Sequence, residues 1–487
     1  MMIFVLALMG WNAPAQPFAH HSLIIDEVYP DPTPSLGLPS YEYIEVMNNT
    51  SAPMELRYWK VSDGSSTATI ATAFTLQPDS VVILCPAAAA SAYSAFGACI
   101  GLAAFPSLNN ESDELFLIAP EGNVIHAVAY ELSWYGNSIA AMGGHSLEMI
   151  DTRYPCSGEK NWSASTDPKG GTPGKVNAVS GSQPDQRNPR LLHAYAESPF
   201  QIIVTWDETL DSLYAREPDH YSMEGRGVKQ STPLRPLFQS TRLDLNEPLE
   251  PGKRYSLTVL NMRDCAGNRT PWADTVTVGL FEDPLPNDVV CNELLFDPLP
   301  DGSDYVEWYN RSSHIINLQD LYVANRSAAG LPINPVRVSE RPMALLPGHY
   351  IVLTEQPEQL GMDHPPPSPL SYHKINAMPS LPDDRGDLLL MDRKGKTIDA
   401  LHYEKDWHYP LLHMTEGVAL ERIDPNAPTQ ERHNWSSAAS VTGFGTPGKK
   451  NSQFMSRSES TSGISVHPGI FSPDNDGFDD RTGIYFD

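Results

Sequence analysis

The chain contains an internal repeat, and this repeat limits the folds that are available to it. Four motifs of the first half return in the same order in the second half. They are Glu27–Asp31 and Glu293–Asp297, Tyr43–Glu45 and Tyr305–Glu307, Asn161–Ser163 and Asn434–Ser436, and Gly171–Lys175 and Gly445–Lys449. Self-similarity in a fixed order indicates that one structural unit is used twice. Because 487 residues leave room for roughly three domains of ordinary size, we expect a different unit between the two copies.

Short segments rich in β-branched and aromatic residues predict strands in both copies. Examples are Tyr43–Met47, Ser80–Leu84, Leu115–Ile118 and Val124–Tyr130, which Pro, Gly, Asn or Asp residues bound. The chain shows no sustained 3.6-residue apolar period, and only Ala87–Phe96 could form a helical turn. The sequence therefore predicts an all-β protein, a multidomain chain of tandem Ig-like β-sandwiches.

The net charge indicates which partners to expect, and the N-terminal segment indicates where the protein is located. A formal charge of −27 repels phosphate backbones, so we expect no nucleic-acid partner. The apolar run Ile3–Met9 precedes Ala13-Pro-Ala15, which predicts a signal peptide at 1–15 and an exported, secreted or outer-surface protein. No later stretch approaches the ~20 apolar residues of a transmembrane helix.

Five cysteines are present, without a Cys-x-x-Cys pair or a Cys/His cluster at zinc spacing. Cys85 and Cys99 are close enough in sequence to form a disulfide in an oxidising compartment. The alternative is that all five cysteines are small buried apolar residues.

Clusters of Ser, Gly, Pro, Gln and Asn mark the expected domain boundaries. Behind the signal peptide we expect a first repeat unit at 22–178, a middle unit at 188–280 and a second repeat unit at 288–451. A flexible linker is expected at 452–463. Residues 464–487 contain a single strand-like segment, which is not stable alone, so we expect them to begin a domain that continues downstream.

The repeated motifs resemble the lamin tail domain, an immunoglobulin-like β-sandwich of nuclear lamins and of many exported bacterial proteins. The middle unit resembles the Ig-like domain of bacterial surface-layer proteins, through Trp206–Asp211, Tyr255–Val259 and Asp264–Asn268. The tail around Pro473–Gly477 is similar to the gliding-motility-associated C-terminal domain. That resemblance implies a sorting module for type IX secretion in Bacteroidota.

The repeated glutamates Glu27, Glu45, Glu293 and Glu307 are candidates for paired acid–base carboxylates. Their parallel placement in both copies favours a role in the fold, as hydrogen-bond acceptors for turns. The repeated Asn-Trp pairs likewise favour packing at a core edge. The chain has no H-E-x-x-H frame, no G-x-S-x-G elbow and no P-loop. We therefore predict no catalytic residues and no enzymatic activity.

The tail carries the best candidate for an ion site. Carboxylates on a tight glycine turn suit Ca²⁺, and here they surround Gly477. The predicted calcium ligands are Asp474, Asp476, Asp479 and Asp480. The spacing differs from an EF-hand, and the alternative is a solvated Asp-Gly turn.

The sequence thus favours a non-catalytic scaffold or adhesion protein, exported or on the cell surface. It would bind a surface protein or a glycan through sandwich loops. One alternative is an accessory region of a secreted hydrolase, of nuclease or phosphatase type, whose catalytic domain lies outside this chain. Another is carbohydrate binding on an exposed aromatic platform, with Trp134, Trp162, Trp407 and Trp435 as the candidates.

Overall fold

The computed structural model describes residues 18–235, 237–327, 329–455, 465–468, 471–478 and 480–485. The expected signal peptide and residues 456–463 of the expected linker lie outside this range. Strands account for 35% and helices for 9% of the structure, which confirms the predicted all-β class of Ig-like sandwiches. Three large and separate hydrophobic cores organise the strands.

The first sandwich spans residues 23–180. Its six-stranded sheet has the order β12-β11-β1-β2-β7-β8, its four-stranded sheet the order β10-β9-β4-β5, and β3 pairs with β6. Its strands are β1 (Leu23–Tyr29), β2 (Tyr43–Asn48), β3 (Met54–Glu55), β4 (Lys60–Ser62), β5 (Thr67–Thr69), β6 (Thr75–Leu76), β7 (Val81–Pro86), β8 (Cys99–Leu102), β9 (Ser112–Ile118), β10 (Val124–Glu131), β11 (Leu147–Met149) and β12 (Trp162–Ala164).

Both faces of the six-stranded sheet are covered. Every residue of β1 is buried, although an exposed face would leave alternate residues in solvent. One face packs on the four-stranded sheet around Trp59, and the other face carries a smaller cluster that contains Tyr29 and Tyr43. The chain after β12 lies over this second face, since Gly171 contacts Tyr43 there.

The middle sandwich spans residues 191–278, and Trp206 lies in its core. Its sheets have the orders β13-β14-β17-β16 and β15-β18-β19. Its strands are β13 (Leu191–Ser198), β14 (Gln201–Trp206), β15 (Tyr221–Met223), β16 (Val228–Pro233), β17 (Ser240–Leu245), β18 (Tyr255–Val259) and β19 (Asp274–Val278).

The second sandwich spans residues 289–455 and repeats the sheet plan of the first. Its sheets have the orders β27-β26-β21-β20-β30-β31 and β24-β23-β28-β29, and β22 pairs with β25. Its strands are β20 (Val289–Leu295), β21 (Tyr305–Asn310), β22 (Ile316–Asn317), β23 (Leu321–Arg326), β24 (Pro332–Arg337), β25 (Ala344–Leu345), β26 (Tyr350–Thr354), β27 (Tyr372–Lys374), β28 (Arg385–Asp392), β29 (Thr397–Glu404), β30 (Leu420–Arg422) and β31 (Trp435–Ser437).

Both sandwiches place a helix before a parallel edge strand. Strand β8 pairs parallel to β7, and β27 pairs parallel to β26. Parallel neighbours need a crossover connection, which explains helices α1 (Ala90–Tyr93) and α2 (Pro357–Asp363). The sequence predicted a helical turn only in the first crossover. Short 3-10 helices lie at Ala87–Ala89, Leu132–Tyr135, Ala140–Met142, Gly158–Asn161, Pro218–His220, Leu318–Asp320, Lys405–Trp407, Arg432–Asn434 and Ser440–Thr442.

The tail packs on the second sandwich. Strand β32 (Ser465–His467) pairs antiparallel with β33 (Gly483–Tyr485). The Tyr409 hydroxyl donates to the Pro473 carbonyl over 2.6 Å, and the Asn475 amide donates to the Ala438 carbonyl over 3.1 Å. Among the described residues, no helix is long and apolar enough to cross a membrane.

Candidate functional site

Three glutamates stand side by side on the central strands of the first sandwich. Glu27 on β1 pairs in register with Glu148 on β11 and with Glu45 on β2. Residues in register on neighbouring strands share one face of a sheet, so the three carboxylates form a row. All three side chains are fully buried.

The row of glutamates holds the segment that covers the sheet, residues 171–179, which we name the first closing loop. The Thr172 backbone N–H donates to Glu27 Oε1 over 2.8 Å, and the Thr172 hydroxyl donates to Glu148 Oε1 over 2.8 Å. The Gly174 N–H donates to Glu45 Oε2 over 2.5 Å. A carboxylate accepts hydrogen bonds only, which suits it to a loop that presents backbone N–H groups.

The second sandwich repeats this arrangement with Glu293, Glu307 and Glu421. Its second closing loop spans residues 445–453. The Thr446 N–H donates to Glu293 Oε1 over 2.8 Å, and the Gly448 N–H donates to Glu307 Oε2 over 2.5 Å. The Thr446 hydroxyl donates to Glu421 Oε1 over 2.7 Å. In each sandwich, the Thr-Pro-Gly motif therefore donates hydrogen bonds to the glutamates that recur with it in the sequence.

Burial dominates the electrostatics of both rows. It raises the pKa of Glu27 to about 7, with Glu148 adding repulsion, and the pKa of Glu293 to about 8, with Glu421 adding repulsion. The hydrogen bonds from Ser146 and Tyr43 oppose this shift at Glu27. Neither side chain has any exposed surface, and both accept hydrogen bonds from the closing loops.

The repeated Asn-Trp pairs also serve the fold. Asn161 Nδ2 donates to the Asp151 carbonyl over 2.9 Å, and the Asp151 N–H donates to Asn161 Oδ1 over 2.8 Å. Trp162 is 5% exposed, Trp435 2% and Trp407 9%, so these three rings offer no binding platform. Of the four tryptophans that the sequence suggested for carbohydrate binding, only Trp134 is half-buried.

A cleft lies between the first and the middle sandwich. Its volume is about 490 Å³, and side chains from both sandwiches form its walls. The lining residues that matter below are Trp134, Lys160, Asp185, Arg187, Glu208 and Gln239. A disulfide between Cys156 and Cys265 joins the two sandwiches beside this cleft. The mixture of two tryptophans, Trp134 and Trp162, with charged and amide groups is typical of a binding site for a polar ligand.

Three acidic residues meet at this junction. Carboxylate oxygens of Asp185, Glu208 and Asp264 lie within 4.8 Å of one another. Asp264 Oδ1 also accepts the N–H groups of Gly267 and Asn268, over 2.6 and 2.8 Å. Burial, with Asp185 and Asp264 nearby, raises the pKa of Glu208 to about 8. The members of this cluster come from distant segments of the chain, so no local sequence pattern predicts it.

The predicted calcium ligands of the tail come together only in part. Oxygens of Asp474, Asp476 and Asp480 lie within 4.8 Å of one another, whereas Asp479 lies outside the described residues. Asp480 also accepts the N–H groups of Asn475 and Gly477, over 2.5 and 2.8 Å. These contacts form an Asp-Gly turn, and the calcium site stays a prediction.

The cysteines differ from the first of the two expected arrangements. Cys85 and Cys99 are free thiols with 3.3 Å between their sulfur atoms, and Cys291 is free and buried. The disulfide instead joins Cys156 and Cys265, which 109 positions separate in the chain. A disulfide between two sandwiches has no signature in cysteine spacing, so it could not be predicted from the sequence.

Comparison with solved structures gave distant likenesses. The N-terminal part of the bacterial S-layer protein SbsC has 14% identity and a TM-score of 0.19, over 45% of this chain and 44% of that chain. A DUF4876 family protein from Bacteroides thetaiotaomicron has 13% identity and a TM-score of 0.18, over 39% and 78%. Bacteroides ovatus SGBP-B, solved with a mixed-linkage heptasaccharide, has 9% identity and a TM-score of 0.18, over 72% and 59%.

The match to SbsC spans less than half of that chain, and at these TM-scores none of the three supports a shared function. Comparison with curated proteins gave no match. One family matches part of the sequence. Residues 16–131, which include β1 to β10 of the first sandwich, match the family described as the Lamin Tail Domain.

Proposed function

We propose that this protein is a non-catalytic scaffold or adhesion protein, exported or held at the cell surface, which binds a glycan or a surface protein. The cleft between the first and the middle sandwich carries this proposal. It presents the half-buried Trp134 ring together with Lys160 and Gln239. An aromatic face with polar groups around it fits the apolar face and the hydroxyl groups of a sugar.

The repeated carboxylates support a role without catalysis. Glu27, Glu45 and their counterparts Glu293 and Glu307 are fully buried and hold the closing loops. A catalytic carboxylate must come within hydrogen-bond reach of a substrate. These four side chains do not meet that condition.

The disulfide supports export. A structural bond between Cys156 and Cys265 persists in an oxidising compartment such as the cell exterior. We infer that residues 1–15 act as a signal peptide, that 22–178 and 288–451 are two lamin tail domains, and that 188–280 is an Ig-like domain of the surface-layer type. Residues 464–487 would belong to a type IX sorting domain.

Calcium at Asp474, Asp476, Asp479 and Asp480 remains part of this proposal. The tail contacts the second sandwich through Asn475 and Tyr409, so an ion there would fasten the tail to that sandwich. Isothermal titration of the full chain with calcium, against an Asp476→Asn variant, tests it. No heat of binding, or equal binding by the variant, would remove calcium from the proposal.

A glycan panel tests the main proposal. Tryptophan fluorescence of the full chain should change with at least one polysaccharide, and Trp134→Leu should abolish binding. The matched control is Trp407→Leu, because Trp407 has the equivalent place in the second sandwich but is 9% exposed. The control should keep binding. Equal loss in both variants would contradict a site in the cleft.

If no glycan binds, a pull-down from native cell surfaces tests the protein-partner alternative. Trp134→Leu should then lose a partner that Trp407→Leu retains. If neither experiment detects binding, the chain is better explained as a passive spacer.

A further inference from the structure

The two closing loops rest on networks that differ at one position. Asn292 lies on β20 directly before Glu293, at a β-bulge where the pairing with β21 shifts by one residue. The bulge lets two consecutive residues, Asn292 and Glu293, serve the same buried network. Asn292 Nδ2 donates to Glu307 Oε1 and to Asn451 Oδ1, over 2.7 Å in each case.

Asp26 occupies the corresponding position in the first sandwich. It precedes Glu27 at the same bulge of β1 against β2. Asn177 takes the place of Asn451, because Asn177 Nδ2 donates to the Asp26 carbonyl over 2.9 Å as Asn451 Nδ2 does to the Asn292 carbonyl. The backbone frame is therefore the same, and only the side chain at the bulge changes from an amide to a carboxyl group.

This change leaves three buried acceptors without a donor among the described residues. They are Asp26 Oδ1, Glu45 Oε1 and Asn177 Oδ1. In the second sandwich, the Asn292 amide donates hydrogen bonds to Glu307 Oε1 and Asn451 Oδ1, the counterparts of Glu45 Oε1 and Asn177 Oδ1. A buried acceptor without a partner costs free energy, and a buried pair of unpaired carboxylates costs more.

The missing donor has to be very small. Asp26 is 3% exposed and Glu45 is 0% exposed, and a water-sized sphere does not reach the unpartnered oxygens. These oxygens are therefore closed to a metal ion or an ammonium group, although a surface cavity has another part of Asp26 in its wall. A proton needs no such space, and it gives the Asp26 carboxyl group one O–H donor, where the Asn292 amide has two N–H donors.

We propose that Asp26 carries a proton in the folded first sandwich and that its O–H group donates a hydrogen bond to Glu45. The Asn292 amide donates the equivalent hydrogen bond to Glu307 in the second sandwich. The first closing loop then depends on this proton, because Gly174 and Asn177 of the loop contact the same network. Loss of the proton leaves two adjacent buried carboxylates and opens the loop. Alkaline pH should therefore favour opening of the first closing loop. In the second sandwich, Asn292 at the bulge adds no such pH dependence.

The surrounding charges support this assignment. The ionisable groups that face Asp26 from within are Glu27 on β1, Glu45 on β2 and Glu148 on β11. None of them is a cation. The exposed Asp79 and Lys175 line a surface cavity of about 570 Å³ that also reaches Asp26. Burial raises the pKa of Asp26 well above its ordinary value, and Glu27 raises it further.

The sign of the effect follows from linkage. The carboxyl group keeps its proton in the folded state and loses it above about pH 4 in the opened state. Above that pH, each further unit favours opening about tenfold, until the raised pKa of the folded state is reached. An asparagine at the same position needs no proton and gives no such slope.

Hydrogen exchange of the full chain between about pH 5 and about pH 9 tests the proposal, with protection factors corrected for the intrinsic exchange rate. With each pH unit, protection at 171–179 should fall about tenfold more in the natural protein than in Asp26→Asn, in which only Glu27 and Glu45 keep raised pKa values. Asp79→Asn, an exposed control beside the same cavity, should behave like the natural protein. Asn292→Asp should steepen the pH dependence at 445–453 in the same way.

Two results would overturn the proposal. One is an Asp26→Asn variant whose protection has the same pH dependence as the natural protein. The other is an infrared spectrum at neutral pH without a buried protonated carboxyl band that Asp26→Asn removes. Asp26→Asn copies an arrangement that already exists in the second sandwich, so failure of this variant to fold would also count against the proposal.

Discussion

Replacement of Gly174 by alanine should selectively destabilise the first sandwich. Gly174 has φ = +77°, a left-handed conformation that costs other residues about 1–2 kcal/mol. A Cβ atom there would lie 2.7 Å from the Gly97 Cα and 2.8 Å from the Phe96 carbonyl oxygen. Both contacts are with backbone, which cannot rotate away, and overpacking of this kind costs about 1–3 kcal/mol.

The same change also strains a buried hydrogen bond. The Gly174 N–H donates to Glu45, and a shift of the loop to relieve the clash would lengthen this 2.5 Å contact. Hydrogen bonds to charged groups contribute about 1.5–3 kcal/mol. The expected loss for Gly174→Ala is therefore about 2–5 kcal/mol before any contribution from the weakened hydrogen bond.

Gly122→Ala is the matched control. Gly122 lies in the same sandwich with φ = +93°, but a Cβ atom there would meet nothing within 4 Å. It should cost only the conformational strain of about 1–2 kcal/mol. Urea unfolding followed by tryptophan fluorescence, with hydrogen exchange at 165–180 as a local readout, compares the two variants. A loss for Gly174→Ala no greater than that for Gly122→Ala would refute the reasoning.

Three further outcomes are expected. Burial lowers the pKa of His126 to about 4, so the unfolded chain takes up a proton that the folded chain refuses, and on acidification from about pH 6.5 to about pH 4 the urea midpoint of the natural protein should fall relative to that of a His126→Gln variant; parallel profiles would contradict this. Replacing both Cys156 and Cys265 with serine should increase proteolysis of 181–190, and unchanged cleavage would show that the disulfide does not hold this junction. Trp435→Ala should cost about 3–5 kcal/mol in urea unfolding, whereas Trp272→Ala, with 79% exposure, should stay within about 0.5 kcal/mol.

The fold class could be predicted from the sequence because strands and repeats leave local patterns. The strand predicted at Tyr43–Met47 corresponds to β2 at Tyr43–Asn48, and that at Val124–Tyr130 to β10 at Val124–Glu131. The repeat also favoured the correct role for Glu27 and Glu45, since a pair of residues that recurs with its turn is more plausibly part of the fold than of one active site.

Other features depend on contacts between distant segments, which no local pattern encodes. Asp185, Glu208 and Asp264 meet only because the segment between the first and the middle sandwich packs against two separate segments of the middle sandwich. Trp162 and Trp435 have the same neighbours in sequence that an exposed binding tryptophan could have, and only the packing shows that they are buried. Helix α2 is too short, at seven residues, to produce a clear apolar period.

Each closing loop contacts both a part that the two copies share and a part in which they differ. Gly174 of the first loop touches Gly97, and Gly448 of the second loop lies against Pro367. Gly97 and Pro367 belong to the two crossovers, the segments in which the copies differ most in length and composition. Each closing loop is therefore held by three buried glutamates at equivalent positions of its own sandwich. At its edge, each loop contacts the crossover of that sandwich, and the two crossovers differ. A sandwich built in this way can change a surface crossover while its buried anchor stays the same. Because loops on a rigid scaffold carry most binding functions, we expect the two sandwiches to differ in what they bind rather than in how they fold.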